Sequence, residues 1–319
     1  MQRRRTGVAL VALSAAAFGG LPIFARLAYA DGADVIAVLA SRFAIAAALM
    51  GVVLAVRRQR LPRGRLLAAL AAMGGIGYVG QSASYFTALT MASAGLVALL
   101  LYLYPAIVTL LSAVILRDRL RPVTIAALGL ALAGSALTIG PVRGGRLGGV
   151  VLGIAAALIY SVYILVGSRV TPRAGALPAS AVVMAAAAVV YGLVALITRP
   201  AVPSSAEGWG AITGLAVVST VVAIVAFFAG LERIGPADAS TLSTLEPVVS
   251  VGLAAVVLGE GVAPLQLGGG VLILAAVAIL ARSGTRQPAA ATVPATAAVT
   301  APEPIAVAEP ERGGHTAKR

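Results

Sequence analysis

The sequence predicts an all-α membrane protein of ten transmembrane helices, arranged as two inverted five-helix repeats with both termini cytoplasmic. Three observations carry this. The 319 residues are 60% apolar and 11% charged, with a mean hydropathy of +1.00, whereas soluble domains carry about 25% charged residues. Ten apolar runs have the roughly 20-residue length that an α-helix needs to cross a hydrocarbon core. Residues 85–122 also lie without a gap on 227–264, at an offset of 142, with ten identities. These include Phe86/Phe228, Leu89/Leu231, Pro105/Pro247, Leu116/Leu258 and Pro122/Pro264, and the acids Asp118 and Glu260 coincide. Apolar bias alone matches Leu, Ala and Val, but not two prolines and an acid.

The runs fall near 6–29, 35–56, 66–89, 95–116, 122–140, 147–169, 177–198, 209–231, 237–258 and 264–282. Turn chemistry separates them: DGAD at 31–34, LPRGR at 61–65, PVRGG at 141–145, TPRAG at 171–175 and RPAVPSS at 199–205. Helix 1 follows Arg3, Arg4 and Arg5, and Pro22 is expected to break it. The same start, with Ser14-Ala15-Ala16-Ala17, also fits a signal peptide. The apolar run continues to Tyr29, however, and the offset carries Phe18 onto Tyr160, so helix 1 is needed as the partner of helix 6. Helix 2 carries Arg42. Helix 3 carries Tyr78, Gln81, Ser82 and Tyr85, spaced 3, 4 and 7 apart, which makes one polar stripe on an apolar helix. Helix 4 has Tyr102, Tyr104 and the breaker Pro105, and helix 6 has Tyr160, Ser161 and Tyr163. Glu232 and Arg233 end helix 8 and read as a gate or topology pair. Helix 9 holds Ser243, Glu246 and the breaker Pro247. Gly74-Gly75-Ile76-Gly77 and Gly268-Gly269-Gly270 permit close helix packing. The expected divisions are a first repeat over 1–141, a second over 142–282 and a disordered cytoplasmic tail over 283–319, rich in Ala, Pro, Thr and Glu.

Orientation follows from arginine, which accumulates in short cytoplasmic loops. With the N-terminus inside, sixteen arginines near the helix ends, from Arg3 to Arg286, fall inside and three, Arg143, Arg146 and Arg199, outside. Five helices per repeat reverse the second copy, and the loops record the reversal. Arg117, Arg119 and Arg121 follow helix 4, whereas Gly259, Gly261 and Ala263 stand at the matching positions after helix 9. Inverted repeats suit alternating access.

Several classes are excluded. No cysteine is present and the one histidine is His315, so neither a cofactor nor a metal is expected. The net charge of +13 resides in short loops rather than on one face, which argues against nucleic acid. Gly77-Tyr78-Val79-Gly80 resembles a channel-filter fragment but lies in a helical run. There is no Walker loop.

Charges within a bilayer cost at least about 2.5–3.5 kcal/mol at a helix centre, so they face a cavity or a partner. Glu246 lies nine residues into helix 9, about 14 Å at 1.5 Å per residue. It is a candidate for binding a substrate ammonium or relaying a proton, together with carbonyls near Ser243 that Pro247 deprives of a donor. The alternative is a permanent ion pair with an arginine. Arg42 reads either as a partner of substrate or Glu246, or as a structural anchor that snorkels outward. Arg26 reads as an interfacial anchor. The candidate substrate-binding set is Glu246, Tyr78, Gln81, Ser82, Tyr85, Tyr102, Tyr104, Tyr160, Tyr163, Ser243 and Arg42, in a cavity between helices 3, 4, 6, 8 and 9. Each tyrosine also has the plainer reading of a bundle residue bonded to a neighbouring helix.

The chain resembles the EamA-type members of the drug/metabolite transporter superfamily. The resemblance rests on Phe18-Gly19, Ser41-Arg42-Phe43, Tyr104-Pro105 with Arg117-Asp118-Arg119, and Leu245-Glu246-Pro247 followed by Gly259-Glu260, and it covers residues 6–282. The family often has Trp at Phe18 and an acid–arginine pair at Arg117-Asp118-Arg119. The resemblance implies a secondary transporter of the bacterial inner membrane that exports amino acids, related metabolites or drugs. Its partners would be a small-molecule substrate and the lipid bilayer, with protons as a candidate coupling ion and a monomer or homodimer as the assembly. An intramembrane enzyme is the alternative from another class, and a channel or uncoupled facilitator is the third. The enzyme is disfavoured because Glu246 has no second carboxylate, His or activated nucleophile beside it.

Overall fold

A computed structural model of the chain describes residues 2–89, 91–92, 94–117, 120–139, 146–259 and 261–282. Asp118, Arg119, Arg143, Glu260 and the tail from 283, with Arg286 and His315, lie outside the described residues. Ten helices are long and apolar enough to span a membrane: α1 (Gln2–Ala30), α2 (Val35–Val56), α3 (Gly64–Ala88), α4 (Leu96–Ile115), α5 (Pro122–Ile139), α6 (Leu147–Ala174), α7 (Ala176–Thr198), α8 (Ala206–Ile234), α9 (Pro236–Leu258) and α10 (Pro264–Arg282).

Helices related by the offset have matching irregularities. α4 divides into Ala94–Leu101 and Tyr104–Ile115, and α9 divides at a 3₁₀ turn over Ser243–Leu245 before Glu246–Leu258. In both, the second segment opens with proline at its second position, where a missing N–H costs nothing. α3 widens to a π-turn over Met73–Tyr78 and α8 over Val217–Val222. Such turns occur mostly as single insertions, frequently at functional sites.

α1 is also two pieces, Gln2–Gly19 and Leu21–Ala30, so the break falls at Gly20, two residues before Pro22. In hydrocarbon every freed carbonyl needs a donor. Ser219 on α8 donates to the Ala17 carbonyl at 2.6 Å and Ser250 on α9 donates to that of Gly19 at 2.9 Å. The second repeat thus satisfies the break in the first.

The helices interlock rather than forming two separate bundles. α2 packs on α7, α4 on α9 and α5 on α10, each against its own repeat partner. α1 packs on α8 while α6 packs on α3, and α1 on α9 mirrors α6 on α4. Glycines allow the closest crossings: a Cβ on Gly134 of α5 would meet the Gly269 carbonyl, and one on Gly74 would run into the Val183 backbone. Gly75, Gly77 and Gly268 have more room, so only part of each glycine run serves packing.

Outside the membrane, the α1–α2 loop is clasped to the α7–α8 loop. Asp34 exchanges two hydrogen bonds with Ala201, each 2.9 Å, and Asp31 accepts from Ser205 N–H at 2.9 Å and Ser204 Oγ at 3.2 Å. Ser205 in turn caps α8 through the Gly208 N–H.

Candidate functional site

A cavity of about 400 Å³ lies between the repeats. The whole helix 3 stripe faces it: Tyr78, Gln81, Ser82 and Tyr85 all line it. Arg42, Tyr102, Tyr104, Tyr160 and Glu246 complete the set of expected residues that reach it, and the breakers Pro22 and Pro247 border it. Two of the expected substrate-binding residues lie outside the lining. Tyr163 lies behind the wall, buried and stacked on Tyr160 at 5.9 Å and Phe228 at 6.1 Å. Ser243 is buried and donates to the Ala239 carbonyl, while Pro105 stands at the break of α4, as the second residue of the Tyr104–Ile115 segment. The Ser243 carbonyl is not free either: the 3₁₀ turn brings the Glu246 N–H onto it, supplying the donor that Pro247 lacks.

The contributing helices also differ from the expected five. α8 does not reach the cavity, because its inward residues pack against α1. Phe18 and Pro22 of α1, Leu39 of α2, Thr138 of α5 and Gln266 of α10 line it instead. The lining residues lie toward the ends of α1, α3 and α5 and the start of α10, so the cavity is displaced toward the face opposite the N-terminus.

Arg42 does not snorkel. It is 3% exposed, its guanidinium sits 4.5 Å from the Phe43 ring centroid, and Nη2 donates to Tyr78 Oη at 2.8 Å. Its Nε has no partner. Phe43 in turn stacks on Tyr191, whose hydroxyl is 2.5 Å from Ser82 Oγ. Tyr191 of α7 was not singled out in the sequence; an isolated Tyr in an Ala/Val helix carries no periodic signal. On the other wall, the rings of Tyr104 and Tyr160 meet edge to face at 4.8 Å, with Tyr102 beside Tyr104.

Among the described residues the ion pairs are Arg4–Asp238 and Arg121–Asp238, and neither Arg42 nor Glu246 takes part in one. One cavity therefore carries a guanidinium and a carboxylate that leave each other unpaired. A charge inside a bilayer without a counter-charge is costly. The permanent Glu246–arginine pair is not what the helices form.

A second cavity of about 230 Å³ adjoins the first, sharing Pro22, Ser250, Val251 and Gln266, and Arg26 lines it. At the N-terminal face the expected pair behaves differently. Arg233 donates to its own helix at the Ala229 carbonyl, and one Glu232 oxygen is buried without a partner. The charges that meet there are Arg4, Arg121 and Asp238. Asp238 escaped the sequence reading because an acid in the first turn of a helix is ordinarily a dipole complement.

Residues 5–140 and 147–282 each match the profile of the EamA-like transporter family. The two matches stand 142 residues apart, the offset read from the sequence. Over 180 residues the chain is 29% identical to the aromatic amino acid exporter YddG of Ancylobacter novellus, a match covering 54% of this chain and 62% of that relative. A solved structure described only as a crystal structure of protein aligns with a TM-score of 0.75 at 24% identity, covering 86% of this chain and 96% of that one. It supports the fold alone.

Proposed function

This chain belongs to the EamA-like transporter family, and from that membership and the charges in its cavity we propose that it is a secondary carrier exporting small zwitterionic organic solutes. Amino acids with aromatic or large apolar side chains are the first class. The observation that carries this reading is that Arg42 and Glu246 line one cavity walled by tyrosines, neither of them in an ion pair among the described residues. The guanidinium suits a carboxylate in planar, bidentate fashion. The carboxylate suits an ammonium, and the tyrosine rings offer apolar faces with polar edges to a side chain between them. The relative named as an aromatic amino acid exporter supports the class and the direction.

On this reading the N-terminal, arginine-rich face is cytoplasmic, the host is the bacterial inner membrane, and the cavity is seen open toward the outside. Glu246 has either of two parts: it binds the solute ammonium, or it carries a proton that exchanges with the solute. Counterflow in proteoliposomes tests the reading. Labelled aromatic and aliphatic amino acids should exchange through the wild type, and Glu246→Gln at equal insertion should reduce exchange at least tenfold. No exchange of any amino acid by a correctly folded wild type would sink it.

A further inference from the structure

The offset of 142 allows every residue at one face to be compared with its counterpart at the other. At the N-terminal face, the Asp238 carboxylate accepts from Arg4 Nη2 at 2.9 Å, Arg121 Nη2 at 2.6 Å and Thr124 Oγ1 at 3.0 Å. Arg4 Nη1 also donates to the Leu280 carbonyl at 2.5 Å. This cluster joins α1, α5, α9 and α10, and it crosses between repeats, since Arg4, Arg121 and Thr124 come from the first and Asp238 and Leu280 from the second. Arg4 and Asp238 are 8% and 7% exposed, so the charges are largely withdrawn from water.

The counterparts are Leu96 for Asp238, Ala263 for Arg121, Arg146 for Arg4, Gln266 for Thr124 and Thr138 for Leu280. The neutral part of the pattern is present there, because Gln266 Nε2 donates to the Thr138 carbonyl at 3.2 Å. The acid and one base are absent. The packing is correspondingly unequal: the first segment of α9 lies against α1, α5 and α10. Among the described residues, its counterpart at the start of α4 packs on α5 and α6 but not closely on α10, and Ala98, Leu101 and Gln266 line the cavity there.

We propose that Asp238 is a one-sided latch, holding the N-terminal face shut by an ionic cluster whose acid and one of whose bases are replaced by Leu96 and Ala263 at the matching positions of the opposite face. The inference rests on the carrier reading, in which the two faces open in turn. Opening the N-terminal face separates a desolvated acid from two guanidinium groups, and such charge-assisted bonds are the strong ones. At the matching positions of the opposite face, Leu96 and Ala263 offer no acid–guanidinium bond to be made or broken. The empty carrier therefore rests closed on the N-terminal side, and the weight of solute binding falls on the opposite transition, because a ligand shifts such an equilibrium only by its differential affinity for the two states.

The absence of native cysteine makes the test direct. Ser243→Cys places a thiol at a buried site between the latch and the cavity. Its labelling by a membrane-impermeant maleimide is followed from each face, in vesicles of both orientations. From the N-terminal face, labelling should be slow in the otherwise wild-type chain and at least tenfold faster with Asp238→Asn, which leaves two arginines opposed without an acid. Arg121→Gln, which keeps the Arg4–Asp238 pair, should give a smaller acceleration and serves if Asp238→Asn does not fold. The reverse graft, Leu96→Asp with Ala263→Arg, should slow labelling of Ala98→Cys from the opposite face. Unchanged N-terminal-face reactivity in folded Asp238→Asn, or in folded Arg121→Gln where Asp238→Asn does not fold, overturns the latch. Labelling needs no transported solute, so a wild type without counterflow would fail the carrier reading while leaving the accessibility result to stand on its own.

Discussion

Arg42 shows how one side chain takes its meaning from its neighbours. Read along the helix it is a cation near an interface; in the fold its head is turned inward by the Tyr78 hydroxyl and braced on Phe43. A hydrogen bond to a charged group contributes about 1.5–3 kcal/mol. Tyr78→Phe, which removes only that hydroxyl, should therefore lower the melting temperature and, by releasing the guanidinium head, weaken apparent solute affinity about tenfold or more in counterflow. Arg42→Lys should not rescue an Arg42→Gln variant, because an ammonium offers neither the planar fork nor the face that stacks on Phe43. Equal activity of the lysine variant and the wild type would argue that Arg42 acts only as a positive charge.

Elements in this protein are built around interruptions. The break at Gly20 leaves carbonyls inside the bilayer, and α8 and α9 supply hydroxyls to them. Ser219→Ala should cost about 1–3 kcal/mol, the penalty of a buried acceptor left without its donor, read as a lower melting temperature in detergent. The loops outside the membrane give a pH-dependent counterpart. The Ser205 N–H, with the hydroxyls of Ser205 and Ser204, holds the Asp31 carboxyl below its ordinary value of 3.8. A depressed folded pKa contributes stability above the unfolded pKa and loses it as pH falls through the folded value. The melting-temperature gap between the wild type and Asp31→Asn should thus stay constant from about pH 8 to about pH 5 and shrink only in stronger acid. A gap that closes already near neutral pH would mean another group is responsible.

At the scale of the molecule, the most extensive helix pairings run between repeats: α1 with α8, α2 with α7, α5 with α10. Neither half covers its own inner faces. A chain cut between the two family-matched segments should give halves that aggregate or are degraded when expressed singly. Co-expressed, they should reassemble and co-purify. A first half that is stable and monodisperse alone would show that the interlocking is not what holds the fold. The same arrangement bears on movement, because a rigid swing of one whole repeat would break these contacts. On the carrier reading, conformational change is expected at the broken helices α1, α4 and α9.

The ten spans, the repeat and the stripe on α3 were legible because each is periodic in one dimension: twenty apolar residues, a shift of 142, and spacings of 3, 4 and 7. Glu246 was legible because a lone carboxylate in an apolar run has few explanations. The membership of the cavity wall was not, since α5 and α10 reach it only through their end residues Thr138 and Gln266, which look like ordinary helix termini. Nor was Asp238, whose partner Arg4 is 234 residues away and is read locally as part of a basic leader. Composition and periodicity decide that helices form and that the membrane holds them. Which polar side chains meet is decided only by packing, because a charge in hydrocarbon is stable or strained according to what the other helices bring within about 4 Å of it.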